Sequence, residues 1–310
     1  MSSPRVESIA CTSQSGIHRM AYYEWGDPDN KDVLLCVHGL TRNGRDFDRV
    51  AQRLSGRYRV VCPDIVGRGL SDWLGNPASY QVPQYVSDIV TLLGRLRPAN
   101  LDWIGTSMGG LIAMVYSGML GKARSGKAPV PPARQHASIP EPLIPIRNLV
   151  LNDVGPRVEP ESIMRIGSYV GEEKSFPSYQ AAVDYIREAS ASFGLKTDEQ
   201  WDEFAKHYFV EKDGKWIKHY DPAIAQGFTG MTPEAYERGE KYLWGVFEKM
   251  QSRTLVLHGV ESDLLTAESV IRMKACNARV SSIDIPGVGH APSLMIDHEI
   301  DLIEKFLTEE

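Results

Sequence analysis

The sequence has few of the features that mark secreted, membrane-bound or nucleic-acid-binding proteins. Four of its 310 residues are cysteines, and their scattered positions match neither a disulfide framework nor a metal site. The formal net charge of -6 gives no basic surface that would attract nucleic acid. Residues 1–16 lack the continuous apolar stretch of a secretory signal or membrane anchor. We expect a cytoplasmic protein that needs no metal or organic cofactor and binds neither nucleic acid nor membrane.

The remaining composition is that of a globular protein, with 42% hydrophobic and 24% charged residues. Short apolar, β-branched runs alternate with longer amphipathic stretches. The apolar runs are residues 33–37, 58–62, 101–104, 149–151, 254–257 and 282–285, and the clearest helix candidates are residues 84–97, 111–120 and 299–307. Continuous apolar runs are typical of parallel strands that are buried on both faces. The pattern predicts an α/β fold with a mostly parallel central sheet, helices on both faces, and ligand sites at the carboxyl ends of the strands.

Two segments interrupt this alternation. Residues 121–145 contain six prolines among glycine, serine and basic residues, which predicts a surface loop within the core. Residues 156–249 lack strand-like runs and have helical periodicity near residues 161–170, 179–190, 199–210 and 233–247. We interpret residues 156–249 as a helical cap on a core formed by residues 1–155 and 250–310. The aromatic residues of this cap favour an apolar cavity beneath it.

The strongest chemical signal is a G-x-S-x-G motif, Gly105-Thr106-Ser107-Met108-Gly109. It follows a predicted strand and precedes a predicted helix, which is the context that a nucleophilic serine on a sharp turn requires. A serine hydroxyl is a weak nucleophile at neutral pH, so Ser107 needs a base within reach. The amide of Met108, at the start of the helix, is a natural donor to a developing oxyanion.

A second oxyanion donor is expected in the loop after the apolar run 33–37, and we assign it to the backbone amide of Leu40. His38, two residues earlier, is expected to hold this loop by hydrogen bonds and not to act as the base. The base is predicted to be His290, which lies in the glycine-rich loop between the last strand and the last helix. Its position after Ser107 and after an acid matches the chain order serine, acid, histidine.

Two aspartates could serve as the orienting acid, because each follows a predicted strand. Asp263 comes after the strand at residues 254–257, and Asp153 follows directly after the strand at residues 149–151. We favour Asp263, because it lies shortly before His290 in the chain, and keep Asp153 as the alternative.

These motifs together resemble the α/β-hydrolase superfamily, and in particular its capped esterase-like and carbon–carbon-bond hydrolase-like members. The resemblance also includes residues 64–72, which are similar to the family's D-x-x-G-x-G-x-S loop and which we expect to be scaffold. It covers nearly the whole chain and implies an α/β-hydrolase fold. A serine at position 107 argues against the members that use an aspartate nucleophile, such as dehalogenases and epoxide hydrolases.

The expected activity is hydrolysis of carboxylic esters of small or medium, partly apolar substrates through an acyl-enzyme. The first alternative is carbon–carbon-bond or lactone hydrolysis with the same triad, where an arginine such as Arg42, Arg45, Arg157 or Arg165 could bind a substrate carboxylate. The second alternative is a ligand-binding sensor that retains the triad. Neither the oligomeric state nor the natural substrate follows from the sequence.

Overall fold

A computed structural model describes residues 3–125, 143–228 and 232–309. Eight of the strands form one sheet in the order β1-β2-β4-β3-β5-β6-β10-β11. The strands of this sheet are β1 Arg5–Ser13, β2 Gly16–Trp25, β3 Asp32–Val37, β4 Arg59–Pro63, β5 Asn100–Thr106, β6 Ile146–Asn152, β10 Arg253–Gly259 and β11 Val280–Ile285. From β4 to β11 every neighbouring pair is parallel, whereas β1 pairs with β2 and β2 with β4 in antiparallel register. This confirms the predicted α/β-hydrolase fold with its mostly parallel sheet.

The central strands are buried because their side chains are apolar on both faces. Residues 33–37 of β3 are all buried, and helices cover the sheet on each side. These helices are α1 Asp48–Leu54, α2 Val82–Leu96, α3 Met108–Ser125, α8 Ala267–Cys276 and α9 Asp297–Thr308. Helices α1 and α9 share one apolar cluster with the sheet, while α2, α3 and α8 pack into the other. Three layers result, as the alternating sequence pattern predicts.

The N-terminal hairpin is the part of the sheet that the sequence pattern did not reveal. Most of β1 is exposed at the edge of the sheet, so its residues show no apolar run. Its one buried residue is Cys11, which faces His18 across the hairpin and lies near Asp88 of α2. Although Cys11 lies near the start of the chain, it is a core residue.

Residues between β6 and β10 form an insertion, which we call the inserted segment, residues 153–252. It contains α4 Pro160–Val170, α5 Tyr179–Ala189, α6 Asp198–Ala205 and α7 Pro233–Phe247, as predicted in number and approximate position. The expectation that it lacks strands was wrong, because β7 Ser175–Phe176, β8 Phe209–Lys212 and β9 Lys215–Lys218 form a small antiparallel sheet. The predicted helix over 199–210 ends at Ala205, and its last residues belong to β8.

The predicted loop at residues 121–145 was partly wrong. Helix α3 continues to Ser125, so the first five residues of that segment are helical. Proline disrupts a helix only where it occurs, and the first proline of this segment is Pro129. Residues 126–142 lie outside the described residues, and the loop prediction there remains untested. Among the helices in the described ranges, none is long and apolar enough to cross a membrane.

Candidate active site

Ser107 lies on a sharp turn between β5 and α3, where it adopts the left-handed backbone conformation with a φ of 50°. The glycines on either side are required by close packing. A Cβ at position 109 would lie 2.0 Å from the carbonyl oxygen of Val37, and one at position 105 would lie 2.5 Å from the amide nitrogen of Gly110. The motif thus places the Ser107 side chain at the carboxyl edge of the sheet, above the start of a helix.

His290 and Ser107 are joined by a hydrogen bond of 2.9 Å between Nε2 and Oγ. The other imidazole nitrogen, Nδ1, lies 2.7 Å from Oδ2 of Asp153. Because a carboxylate oxygen accepts, Nδ1 carries the hydrogen and Nε2 is free to accept the hydrogen of the Ser107 hydroxyl. The three side chains therefore form a continuous relay from Asp153 through His290 to Ser107.

Asp153 is fully buried, and both oxygens of its carboxylate accept hydrogen bonds. Oδ1 accepts a hydrogen bond from the backbone amide of Gly259 at 2.9 Å, and Oδ2 accepts from the hydroxyl of Ser262 at 2.5 Å as well as from His290. These three hydrogen bonds fix the orientation of the carboxylate. The position of Asp153 follows from the strand order. Strands β5 and β6 are neighbours, and Thr106 pairs with Asn152. The next residues, Ser107 and Asp153, therefore lie side by side.

The preference for Asp263 as the acid is corrected by this geometry. The side chain of Asp263 is 52% exposed, and its Oδ2 lies 2.9 Å from Nε and 2.6 Å from Nη2 of Arg165. Among the described residues its carboxylate is paired with Arg165 and not with His290. The physical reason is distance along the chain: Asp263 comes four residues after β10 ends at Gly259, whereas Asp153 follows β6 directly.

The loop after β3 lies directly against the nucleophile. A Cβ at Gly39 would be 3.7 Å from Cβ of Ser107, and Leu40 lines the same cavity as Ser107. Arg68, which is fully buried, donates from Nε to the carbonyl oxygen of Leu40 at 2.8 Å and so holds this loop. Met108 is the first residue of α3, where backbone amides have no partner within the helix. Met108 thus follows Ser107 at the start of α3 and Leu40 lines the same cavity as Ser107, and the role of their amides as oxyanion donors remains a proposal.

His38 is part of this scaffold. Its Nδ1 donates to the carbonyl oxygen of Gly39 at 2.7 Å, and its Nε2 accepts from the amide of Ile65 at 2.9 Å. Complete burial lowers the pKa of His38 to about 3, so the ring is neutral at ordinary pH. The expectation that His38 holds the loop by hydrogen bonds is confirmed.

The D-x-x-G-x-G-x-S loop is also structural. The buried carboxylate of Asp64 accepts hydrogen bonds from the amides of Gly44 and Leu70, both at 2.7 Å, and burial raises the pKa of Asp64 to about 6. Gly69 has a positive φ of 54°, and a Cβ there would lie 2.1 Å from Oδ2 of Asp64. The contacts of Asp64 hold neighbouring loops together, and its side chain does not line the cavity that contains Ser107.

Ser107 and His290 open into a cavity of about 660 Å³. One wall comes from the core, and the other from α4, α5 and the end of α6 in the inserted segment. The aromatic residues in this wall are Tyr169, Tyr185, Phe193, Phe204 and Tyr208. Other aromatics of the segment, including Trp201, Trp216 and Trp244, do not line it. The predicted apolar cavity is therefore present, although all three tryptophans of the inserted segment pack elsewhere.

Of the four arginines considered from the sequence, Arg42 and Arg165 line the cavity, whereas Arg45 and Arg157 do not. Arg45 pairs with Asp48, and Arg157 pairs with Glu159 at 2.9 Å. A second cavity in the described residues, of about 860 Å³, shares Arg42 with the first but contains neither Ser107 nor His290.

Two positioning residues were missed in the sequence. Asn152 donates from Nδ2 to Oγ1 of Thr106 at 3.1 Å and to the carbonyl oxygen of Pro292 at 2.9 Å, which ties the His290 loop to the strands. Ser262 donates to Asp153, as described above. The one sequence signal for Asn152 and Ser262 was that each lies at or shortly after the end of a strand. The strand order that brings them near His290 and Asp153 is not visible in the sequence.

Within the described residues, one group of side chains has the composition of a metal site. Potential ligand atoms of Cys11, His18 and Asp88 lie within 4.8 Å of one another, and Nε2 of His18 lies 3.0 Å from Oδ2 of Asp88. None of the three lines the cavity of Ser107, so the chemistry of the relay does not involve them.

Comparisons with known proteins agree with this architecture. A family model described as "Alpha/beta hydrolase family" matches residues 34–304. A protein of Cupriavidus necator named "3-hydroxybutyrate-oligomer hydrolase" is 46% identical over 310 residues, which cover 99% of this chain and 98% of that protein.

Two solved structures are also similar over almost their full length. A hydrolase from Rickettsia typhi has a TM-score of 0.83 at 31% identity, and an alpha/beta hydrolase from Novosphingobium aromaticivorans has 0.79 at 34% identity. In both comparisons 99% of each chain is covered.

Proposed function

Because the chain belongs to the alpha/beta hydrolase family, we propose that it is a serine hydrolase that cleaves carboxylic esters through an acyl-enzyme. The observation that carries this proposal is the hydrogen-bonded relay from Asp153 through His290 to Ser107. A nucleophile, a base in the correct tautomer and a buried anion are the three parts that acyl transfer needs. Asp153 takes the role that the sequence pattern had assigned to Asp263.

In the first half of the reaction, Oγ of Ser107 attacks the carbonyl carbon of the ester while Nε2 of His290 takes its proton. The imidazolium that forms is stabilised by the carboxylate of Asp153. The backbone amides of Leu40 and Met108 donate hydrogen bonds to the negatively charged oxygen of the tetrahedral intermediate. Collapse of this intermediate expels the alcohol, which receives the proton from His290 and leaves the acyl group on Ser107.

In the second half, a water molecule gives its proton to Nε2 of His290 and attacks the acyl carbon. The second tetrahedral intermediate releases the acid, and Ser107 recovers its proton from His290. The ester and one water are thus converted into an acid and an alcohol. This sequence of steps requires no cofactor.

For the substrate, we propose esters of short hydroxy acids, with oligomers of 3-hydroxybutyrate as the representative class. The full-length relative at 46% identity is named for hydrolysis of such oligomers. Each unit of the oligomer has an ester bond and one methyl branch, and its chain ends in a carboxylate. The aromatic wall suits the methyl groups, and Arg165, a half-exposed arginine in the cavity, suits an anionic substrate. The inserted segment would then act as a cap over the substrate.

The test is hydrolysis of the linear dimer of 3-hydroxybutyrate by the purified protein, with the monomer quantified by chromatography. The wild type should release monomer, and Ser107→Ala should not. Ser168→Ala is a suitable control, because Ser168 is exposed on α4 and does not line the cavity.

If the wild type releases no monomer from the dimer and does not hydrolyse p-nitrophenyl butyrate, the ester hydrolase proposal is refuted. The same result would redirect attention to carbon–carbon-bond or lactone hydrolysis, or to ligand binding without turnover.

A further inference from the structure

The pair formed by Arg165 and Asp263 lies at the rim of the catalytic cavity, and both residues line it. We infer that Arg165 is the binding site for a free carboxylate on the substrate, and that Asp263 holds its guanidinium in place until the substrate arrives. This inference rests on the proposed ester hydrolase function. It specifies the substrate class as esters that carry a carboxylate in the same molecule.

Arg42 is the other arginine in the cavity, and two of its three guanidinium nitrogens already have partners, while Nη1 is buried without a hydrogen-bond partner among the described residues. It makes two contacts with the carboxylate of Asp46 from Nε, at 2.8 and 3.0 Å, and donates from Nη2 to the carbonyl oxygen of Phe204 at 3.1 Å. It also stacks 3.7 Å from the ring centroid of Phe204, and only 11% of its side chain is exposed. Arg42 therefore links the loop after β3 to the inserted segment, and with only Nη1 unpartnered it cannot hold a carboxylate through two guanidinium nitrogens.

Arg165 differs from Arg42 in exposure and in the number of its contacts. Its side chain is 50% exposed, and its carboxylate partner is exposed to the same degree. Ion pairs between exposed side chains contribute little to stability, so exchange of Asp263 for another carboxylate costs little. The planar guanidinium can hold a carboxylate through two parallel hydrogen bonds. Asp263 thus occupies the position that we assign to the substrate carboxylate.

The surroundings of Arg165 restrict an anion to this one position. Tyr169 lines the cavity beside it, and its hydroxyl can donate a second hydrogen bond to an anion held by Arg165. The other carboxylates of the cavity are Asp46, which pairs with Arg42, Glu172, which lies 3.5 Å from Lys174, and Glu261. Among the described residues no lysine and no third arginine lines the cavity. A hydroxy acid oligomer, with an apolar chain and a terminal carboxylate, matches an aromatic wall with one exchangeable arginine at its rim.

The experiment compares two substrates that differ in one charge: the linear dimer of 3-hydroxybutyrate, and the same dimer with its terminal carboxylate converted to a primary amide. The quantity measured is the ratio of kcat/KM for the acid to kcat/KM for the amide. Arg165→Gln should lower this ratio by about tenfold or more, mainly through KM for the acid, because a charge-assisted pair is lost. Arg157→Gln is the matched control, since Arg157 forms an ion pair with Glu159 in the same segment but does not line the cavity.

An unchanged ratio in Arg165→Gln would overturn the inference, and so would an equal loss of activity on both substrates. A wild type that prefers the amide would also overturn it. These outcomes are distinct from failure of the proposed function, in which the wild type would hydrolyse neither substrate.

Discussion

Replacement of Asp153 by asparagine should nearly abolish ester hydrolysis, although the side chain keeps its size. The carboxylate accepts from three donors: the amide of Gly259, the hydroxyl of Ser262 and Nδ1 of His290. An asparagine has one acceptor oxygen and one NH₂ group, so it cannot accept from donors on both sides. If its oxygen faces Gly259, its NH₂ faces His290. The ring must then accept at Nδ1 and carry its hydrogen on Nε2, where it can no longer take the proton of Ser107.

A loss of about 10³- to 10⁴-fold in kcat is expected for an imidazole held in the wrong tautomer. The assay is steady-state hydrolysis of p-nitrophenyl butyrate, with thermal unfolding measured in parallel to show that the variant is folded. Asp263→Asn, made for comparison, changes an exposed side chain that pairs with Arg165. Its kcat for this neutral ester should fall by at most about tenfold, because removal of an exposed ion pair has small effects.

The opposite order of activities in the two variants would show that Asp153 is not the acid. If Asp263→Asn lost three or more orders of magnitude while Asp153→Asn stayed active and folded, the acid inferred from chain order would be correct and the relay drawn from the structure would be wrong. Loss of activity in both variants with intact folding would show that the Arg165 pair also controls the relay.

Two further predictions concern stability. Burial raises the pKa of Glu299 to about 7 from an ordinary 4.5, so the folded chain keeps this proton over a range where the unfolded chain loses it. The folded state is therefore stabilised, relative to its stability at high pH, by the protonated carboxyl of Glu299; this stabilisation is fully present below pH 4.5 and is lost as pH rises through 7. Relative to Glu299→Gln, the wild type should lose on the order of 3 kcal/mol of unfolding free energy between pH 4.5 and 8, as measured by urea denaturation; equal pH profiles would contradict this. Separately, Gly109→Ala should destabilise the protein by about 1–3 kcal/mol and reduce activity, because its Cβ would collide with the carbonyl of Val37. Gly94→Ala in α2, where a Cβ meets nothing within 4 Å, should be neutral or stabilising, and similar unfolding midpoints for the two variants would count against the packing argument.

Local sequence signals were sufficient for those parts of the fold and site that depend on local rules. Strands β3 to β6 and β10 were visible because a strand buried on both faces must be apolar throughout. Strand β11 lies at the edge of the sheet with one buried residue, and its signal was the alternation of Ile283 and Ile285 with polar residues. Ser107 was identifiable because a strand, two glycines and a helix surround it within a few residues. The edge strand β1 was missed because its exposed side chains carry no apolar pattern.

The acid was assigned to the wrong residue for a different reason. Chain order is a property of the sequence, but the contact between Asp153 and His290 depends on which strands are neighbours. Once β6 lies between β5 and β10, Asp153 stands next to Ser107, while Asp263 is carried by its loop toward α4. A sequence that ends a buried strand with Asn152-Asp153 contains the signal, because both residue types tolerate the left-handed conformation that Asp153 adopts, with a φ of 54°.

The strands of the inserted segment were missed because they are short. Strand β7 has two residues, and β8 and β9 have four each, which is too few for a period of two to stand out. The hairpin of β8 and β9 turns at Asp213 and Gly214, both with positive φ. An Asp-Gly pair between short runs is a turn signal that the helical interpretation of residues 199–210 passed over.

The central claim, that Ser107 is a nucleophile activated by His290, is tested most directly by covalent labelling with a fluorophosphonate probe followed by mass spectrometry of the labelled peptide. We expect a single adduct on Ser107 in the wild type, strongly slowed labelling in His290→Ala, and none in Ser107→Ala. A wild type that is folded but does not react with the probe, or that is labelled at another serine, would contradict it.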